Sequence, residues 1–165
     1  MNKSATILLV EDDRIILEGL AELLELCNIG FCDIGYQIKT ICTMNGVEGL
    51  SALYAHAPDL IISDNMMPKM DGFEFLRRVR ANRSWAHIPF VFLAPRDLTQ
   101  EIRAGRLTGV DGCFQKPFDS DELLQFIKSL LDRKFQQSDR EADRAAATKR
   151  ARRRLVATLA SSPRL

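Results

Sequence analysis

The chain of 165 residues is long enough for one domain with a sizeable core and an additional segment. Its apolar share of 46% and charged share of 27% are ordinary for a soluble globular protein, and no apolar run is long enough to predict a membrane span. The net charge of +1 hides an asymmetry, because residues 1–131 carry 13 basic and 18 acidic side chains whereas residues 132–165 carry 10 basic and 4 acidic ones. We therefore predict an acidic domain over 1–131 and a basic helical extension or linker over 132–165.

Five short apolar runs predict five β-strands, because they are rich in β-branched residues and lack polar alternation. They are "TILLV" (6–10), "QIKTIC" (37–42), "DLIIS" (59–63), "PFVFLA" (89–94) and "GCFQK" (112–116). Such runs are typical of strands covered on both faces, as in a parallel sheet.

Helix-like segments separate these runs. The segment 14–26 has its apolar residues near one face, the segment 72–82 repeats apolar residues at a spacing of three or four, and the segment 119–135 begins with acids that suit a helix N-terminus. The face of the first segment comprises Ile15, Leu20, Leu23, Leu24 and Leu26. The alternation of strand and helix predicts a doubly wound α/β domain over 1–131.

The last part of the chain has a different composition. Residues 132–160 contain no Pro or Gly and are rich in Ala, Arg, Lys, Glu and Gln, which favour helices. Large apolar residues are almost absent between Phe135 and Leu155. We expect the final helix to continue as a charged, solvated helix or to fray, without a second core.

Charged residues follow three of the predicted strands. Glu11 and Asp12 follow the first strand, Asp64 follows the third, and Lys116 ends the fifth. Ligands of open α/β sheets bind at the carboxyl ends of the strands, so these groups should share one crevice. Crowded carboxylates repel each other, and a hard cation such as Mg²⁺ relieves that repulsion. A carboxylate, Mg²⁺ and a lysine together predict phosphoryl transfer onto an aspartate.

Three motifs resemble the receiver domains of two-component response regulators. They are "ILLVEDD" (7–13), "PDLIISDNMMPKMDGFEFL" (58–76) and "GVDGCFQKPFD" (109–119), and they occur in the order found in that family. The resemblance covers about residues 1–131. It implies a five-stranded parallel sheet in the flavodoxin-like order 2-1-3-4-5, with the final helix extended. It also implies a phosphoacceptor protein, not a turnover enzyme, whose partner is a histidine kinase or a phosphotransfer protein.

The resemblance also assigns roles to individual residues. Asp64 would accept the phosphoryl group, Lys116 would contact it, and Pro117 would follow a cis peptide bond. Mg²⁺ would be held by Asp12 with its partner Glu11, by Asp64 and by the main-chain carbonyl of Met66.

Two positions depart from the family pattern. Receivers usually carry Ser or Thr at the end of strand four, where this chain has Ala94, and Tyr or Phe in strand five, where it has Cys113. Phe114 comes one residue later and should lie on the opposite face of the strand. Ala94 has no hydroxyl to donate a hydrogen bond to a phosphoryl oxygen. Either the domain is phosphorylated and signals through other contacts, such as the loop after Pro95, or it is a pseudo-receiver that acts by docking.

The basic segment leaves two further alternatives open. The cluster "KRARRR" (149–154) could contact nucleic acid, although the segment lacks interleaved aromatic residues and a second DNA-binding fold. A coiled-coil homodimer is the other alternative. Its heptad positions would be Leu124, Leu131, Ser138, Ala145 and Arg152.

Cysteine spacing and the first residues suggest a cytoplasmic protein. Cys27, Cys32, Cys42 and Cys113 follow no paired or metal-binding spacing, so we expect reduced thiols. The apolar run near the start is too short for a signal peptide. We expect no membrane contact.

Overall fold

The computed structural model describes residues 3–30, 34–95, 97–98, 100 and 108–160, with side chains described as far as 153. The chain divides into two compact units, Met1–Leu131 and Asp132–Leu165. The segment between the fourth and fifth strands lies largely outside the described residues, as does Cys32.

A five-stranded parallel sheet forms the centre of the first unit, in the order β2-β1-β3-β4-β5. Its strands are β1 (Lys3–Val10), β2 (Tyr36–Thr43), β3 (Leu60–Asp64), β4 (Phe90–Ala94) and β5 (Gly112–Gln115). The predicted fold class and strand order are confirmed, with strand bounds shifted by one to three residues. Because all five strands run in the same direction, their carboxyl ends lie at one edge of the sheet.

The helices are α1 (Arg14–Leu26), α2 (Gly46–His56), α3 (Gly72–Ala81) and a C-terminal helix (Ser120–Ala160), with a 3-10 turn at Cys27–Ile29. Three of them begin at a side-chain cap. Asp13 accepts hydrogen bonds from the amides of Ile15 and Ile16, Asn45 caps α2, and Asp71 caps α3. The caps place the starts of these helices directly after turns at the carboxyl edge of the sheet.

The core explains why the central strands contain uninterrupted apolar runs. Every residue of β3 and β4 is buried. Phe90 and Phe92 pack edge to face at 5.0 Å between ring centroids, and Phe75 of α3 packs on Phe90. The apolar residues of the C-terminal helix are also buried, namely Leu123, Leu124, Ile127, Leu130 and Leu131.

Two expectations are wrong in detail. Ile15, assigned to the apolar face of the first helix, is 83% exposed, because the buried face of α1 consists of Leu17, Leu20 and Leu24. Cys27 is disulfide-bonded, whereas Cys42 and Cys113 are not. Spacing along the chain does not reveal such a bond, since it depends on how the backbone brings two sulfur atoms together.

The C-terminal helix continues to Ala160, as predicted, and all of residues 136–153 are exposed. Nowhere in the described part of the chain does a helix combine the length and hydrophobicity needed to cross a bilayer.

Candidate functional site

The site lies at the carboxyl edge of the sheet, where three chain segments converge. Glu11 and Asp12 directly follow β1, and Asp64 is the last residue of β3. One carboxylate oxygen from each of these residues lies within 4.8 Å of those of the other two. Glu11 is 3% exposed and Asp64 7%, whereas Asp12 is exposed. The structure thus brings together the three acids that the sequence predicted would meet.

Lys116, directly after β5, reaches two of these acids. Its Nζ donates to Glu11 Oε2 at 2.6 Å and to Asp64 Oδ1 at 3.0 Å. The backbone amide of Lys116 donates to the carbonyl of Ala94 at 3.0 Å, which holds the lysine against the end of β4. The Lys116–Pro117 peptide bond is cis. The ammonium group therefore bridges the two buried carboxylates.

Burial and charge act in opposite directions on these groups. Burial raises the pKa of Glu11, the hydrogen bond from Lys116 opposes the rise, and the neighbouring charge of Asp64 adds to it. Burial by itself would lower the pKa of Lys116, but its hydrogen bonds to Glu11 and Asp64 and the negative charges of these carboxylates together outweigh this effect and raise the pKa above its usual value. Lys116 is thus held in its charged form by the carboxylates around it.

The donor set fits a hard divalent cation. Three carboxylates meet one ammonium group, so the cluster keeps an excess of negative charge. Carboxylate and carbonyl oxygens are the ligands that Mg²⁺ prefers, usually one or two carboxylates with waters completing the shell. A cleft borders the cluster and is lined by Asp12, Asn65, Met66, Met67, Asp71 and Phe73. Met66, whose carbonyl was predicted as a ligand, therefore lines the same cleft as Asp12.

The turn between β3 and α3 is fixed at both ends by close backbone contacts. The amide of Gly72 donates to the carbonyl of Asn65 at 2.9 Å, and a Cβ at position 72 would collide with the main-chain oxygen of Asp64. At the other side, the amide of Gly46 donates to the carbonyl of Met70 at 3.1 Å, and a Cβ at position 46 would lie 2.7 Å from the Met70 side chain. At position 72 only glycine permits this approach, whereas a larger residue at position 46 would require the Met70 side chain to move.

The two positions that depart from the family pattern lie in the core behind the site. Ala94 is fully buried at the end of β4, and Cys113 is partly buried and packs against the same hydrophobic cluster. Phe114 faces the other side of the sheet, where its ring packs on Phe126 at 5.4 Å between centroids. Position 94 therefore offers no hydroxyl to the acidic cluster, and position 113 carries no aromatic ring.

Sequence reasoning missed two residues of the site. Asn65 is 6% exposed, lines the cleft, and its side-chain oxygen is buried with no hydrogen-bond partner. Gly46 supports the β3–α3 turn from a distant part of the sequence. Asn65 could have been noticed as a polar residue following a buried strand, but no sequence signal connects Gly46 with Met70.

Comparison with known proteins agrees with the receiver-like fold. A family model described as "Response regulator receiver domain" matches residues 7–128. The chain is 35% identical over 145 residues to the response regulator Rre1 of Synechocystis sp., an alignment that covers 88% of this chain and 59% of that protein. The chain thus spans less than two thirds of the length of this curated relative.

Solved structures show the same similarity. A response regulator of Chloroflexus aurantiacus is 28% identical, with a TM-score of 0.66 and coverage of 79% of this chain and 99% of that chain. The signal receiver domain of a signal transduction histidine kinase from Syntrophus aciditrophicus is 31% identical, with a TM-score of 0.65 and coverage of 78% and 91%.

We predict that Lys116→Met lowers the free energy of unfolding by about 2–3 kcal/mol in the absence of divalent cations, because it leaves two buried carboxylates without their shared ammonium group. Added Mg²⁺ should recover part of this loss. Urea denaturation with EDTA and with Mg²⁺ measures both effects.

Lys69→Met is the matched control, since Lys69 is 66% exposed and lies 3.8 Å from Glu48. It should change stability by less than about 0.5 kcal/mol. Equal stability of Lys116→Met and Lys69→Met would contradict the bridging role of Lys116.

Proposed function

The chain belongs to the response regulator receiver family, and from this premise we propose that it is a phosphoacceptor of a two-component phosphorelay. Asp64 would take a phosphoryl group from a histidine kinase or phosphotransfer protein, with Mg²⁺ as cofactor. The observation that carries the proposal is the buried Asp64 carboxylate, hydrogen-bonded to Lys116 and next to Glu11 and Asp12. The phosphorelay would place the protein in the cytoplasm.

The proposed transfer uses groups already in the site. A carboxylate oxygen of Asp64 forms a bond to phosphorus, the phosphorus–nitrogen bond of the donor phosphohistidine breaks, and its electron pair returns to the imidazole. The Lys116 ammonium holds negative charge on the phosphoryl oxygens as it develops. Asp12, Asp64 and the Met66 carbonyl, with Glu11 beside them, would hold Mg²⁺, which neutralises charge when bound. The product is an acyl phosphate on Asp64, so the chain is itself modified and is not a turnover enzyme.

A protein donor fits the surface next to the site. Because the donor phosphorus must reach bonding distance of Asp64, the partner must cover the carboxyl edge of the sheet. An apolar groove there runs from Lys116 along α1, and its lining includes Ile15, Leu20, Leu23, Pro117 and Phe118. Ile15 is 83% exposed at its rim. This exposed apolar surface supports a protein partner over a small-molecule donor.

Output would run through protein contacts other than the usual hydroxyl-to-aromatic relay. Ala94 and Cys113 lack the groups that this relay needs. The alternative to a phosphorylated receiver is a pseudo-receiver, in which the pocket is retained but signalling depends on docking. The acid cluster and its lysine bridge favour phosphorylation, because a docking surface alone does not require two buried carboxylates at one ammonium group.

Incubation with a small phosphodonor such as acetyl phosphate and Mg²⁺ tests the proposal, with intact mass as the readout. We expect the mass of one phosphoryl group to be added to the wild-type chain and not to Asp64→Asn. Asp71→Asn is the matched control, because Asp71 lines the same cleft and asparagine preserves the cap of α3. It should be phosphorylated like the wild type.

Failure of the wild-type chain to gain an Asp64-dependent phosphoryl group both from acetyl phosphate and from a phosphorylated histidine kinase, with the fold intact by circular dichroism, would reject the phosphoacceptor role. The docking alternative would then be preferred.

We predict that Ala94→Thr lengthens the lifetime of the phosphorylated form about fivefold relative to Ala94→Val, because one hydrogen bond to a phosphoryl oxygen is worth about 1 kcal/mol. Valine matches the shape of threonine without the hydroxyl, so the two variants share any crowding at this fully buried position. Decay of the phosphorylated mass after donor removal gives both lifetimes. Equal lifetimes would show that a missing hydroxyl at position 94 does not limit the phosphoryl group.

The C-terminal helix could add a second role. The side chains of Lys149, Arg150, Arg152 and Arg153 are exposed, which suits contact with nucleic acid. The coiled-coil alternative is weaker, because Leu124 and Leu131 are already buried in the receiver core, at 3% and 0% exposure. The proposal that signalling runs through protein contacts does not need either role.

Removal of residues 148–165 tests whether this segment is a solvated extension or binds nucleic acid. If the segment is a solvated extension, the full chain and the truncated chain should bind double-stranded DNA equally weakly at every salt concentration in a fluorescence anisotropy titration. An affinity that falls steeply with salt and disappears on truncation would instead support the nucleic-acid alternative.

A further inference from the structure

We propose that the side-chain amide of Asn65 is a positioning group for the cation, and that its Oδ1 accepts a hydrogen bond from a water molecule bound to the metal. The inference rests on the proposed function, since it assumes that Mg²⁺ binds at the acidic cluster. It assigns to Asn65 a role that does not require direct contact with metal or phosphorus.

The first observation is that a buried acceptor has no partner. Asn65 is 6% exposed, and its Oδ1 is a buried side-chain atom without a hydrogen bond. An unsatisfied buried polar atom is unfavourable, and native proteins contain few of them. A leucine would occupy a similar volume at this position without that cost, so the amide requires a functional reason.

The second observation is where this amide lies. Asn65 follows Asp64 directly in the chain, and it lines the same cleft as Asp12 and Met66. These three neighbours are the proposed metal ligands. The residue that carries this acceptor therefore borders the proposed cation site and does not lie in a remote part of the core.

The chemistry of the cation connects these observations. Mg²⁺ is reluctant to lose water and usually keeps several waters beside one or two carboxylates. A water bound to Mg²⁺ through its oxygen is polarised by the cation and acts mainly as a hydrogen-bond donor, so it needs acceptors around it. The terminal torsion of asparagine has a broad energy profile, so rotation of the amide can present Oδ1 to the cleft. Mutation of a group that hydrogen-bonds to a ligand of the metal typically changes metal affinity by about 10- to 100-fold.

Asn65→Leu is the direct test, with Mg²⁺ affinity measured by isothermal titration calorimetry and thermal stability measured in EDTA. We expect the Mg²⁺ dissociation constant to rise about tenfold. We expect the midpoint of thermal unfolding in EDTA to stay equal or rise, because the variant removes a buried acceptor that has no partner. A structural role would give the opposite pair of results, a loss of stability with unchanged affinity.

Asn45→Leu is the matched control. Asn45 is also buried, at 2% exposure, but its Oδ1 accepts hydrogen bonds from the amides of Val47 and Glu48. This variant should lose thermal stability and leave the Mg²⁺ dissociation constant unchanged.

Asn65→Asp provides a second variant, because aspartate retains an acceptor oxygen in the same position. It should bind Mg²⁺ at least as tightly as the wild type. Wild-type affinity in Asn65→Leu, or weakened binding in Asn65→Asp, would overturn the inference while leaving the phosphoacceptor proposal intact. Absence of Mg²⁺ binding by the wild-type chain would overturn both.

Discussion

The bridge from Lys116 to two buried carboxylates is the interaction on which the site depends. Glu11 and Asp64 are brought together by the parallel sheet, whose strands β1 and β3 end at the same edge. Their burial would be unfavourable without the ammonium group, at 2.6 Å from one and 3.0 Å from the other. Asp12 remains outside this bridge and keeps the excess negative charge that suits a cation. The strand order thus brings the carboxylates together, and their charges determine which groups the cleft can bind.

The β3–α3 turn combines close backbone contacts with one energetically unfavourable side-chain atom. Gly72 and Gly46 allow the backbone to approach Asp64 and Met70 closely, which fixes the turn that presents Met66. Asn65, within the same turn, keeps an acceptor oxygen without a partner. A fold optimised for stability alone would place an apolar side chain there. Functional sites commonly retain such unfavourable features where a ligand compensates for them.

The acidic cluster and the core behind it differ in how closely they follow the receiver pattern. Ala94 is packed by apolar neighbours and Cys113 adjoins the same cluster, so neither the hydroxyl nor the aromatic ring that receivers usually carry at these positions is present. Phe114 cannot substitute for an aromatic ring at position 113, because its ring packs on Phe126 on the other side of the sheet. Within the described part of the chain, the groove along α1 and the C-terminal helix as far as residue 153 present exposed surface.

The sequence by itself determined the five strands, the helices α1 and α3, the C-terminal helix and the residues Glu11, Asp12, Asp64 and Lys116, because apolar periodicity and charged strand ends are local signals. It misplaced Ile15, since three- and four-residue spacing defines an apolar stripe but not which edge of that stripe meets the sheet. It gave no sign of the contact between Gly46 and Met70 or of the missing partner of Asn65 Oδ1. Only the tertiary structure decided these features, because close approach and hydrogen-bond satisfaction depend on atoms that are distant in the chain and meet only after folding.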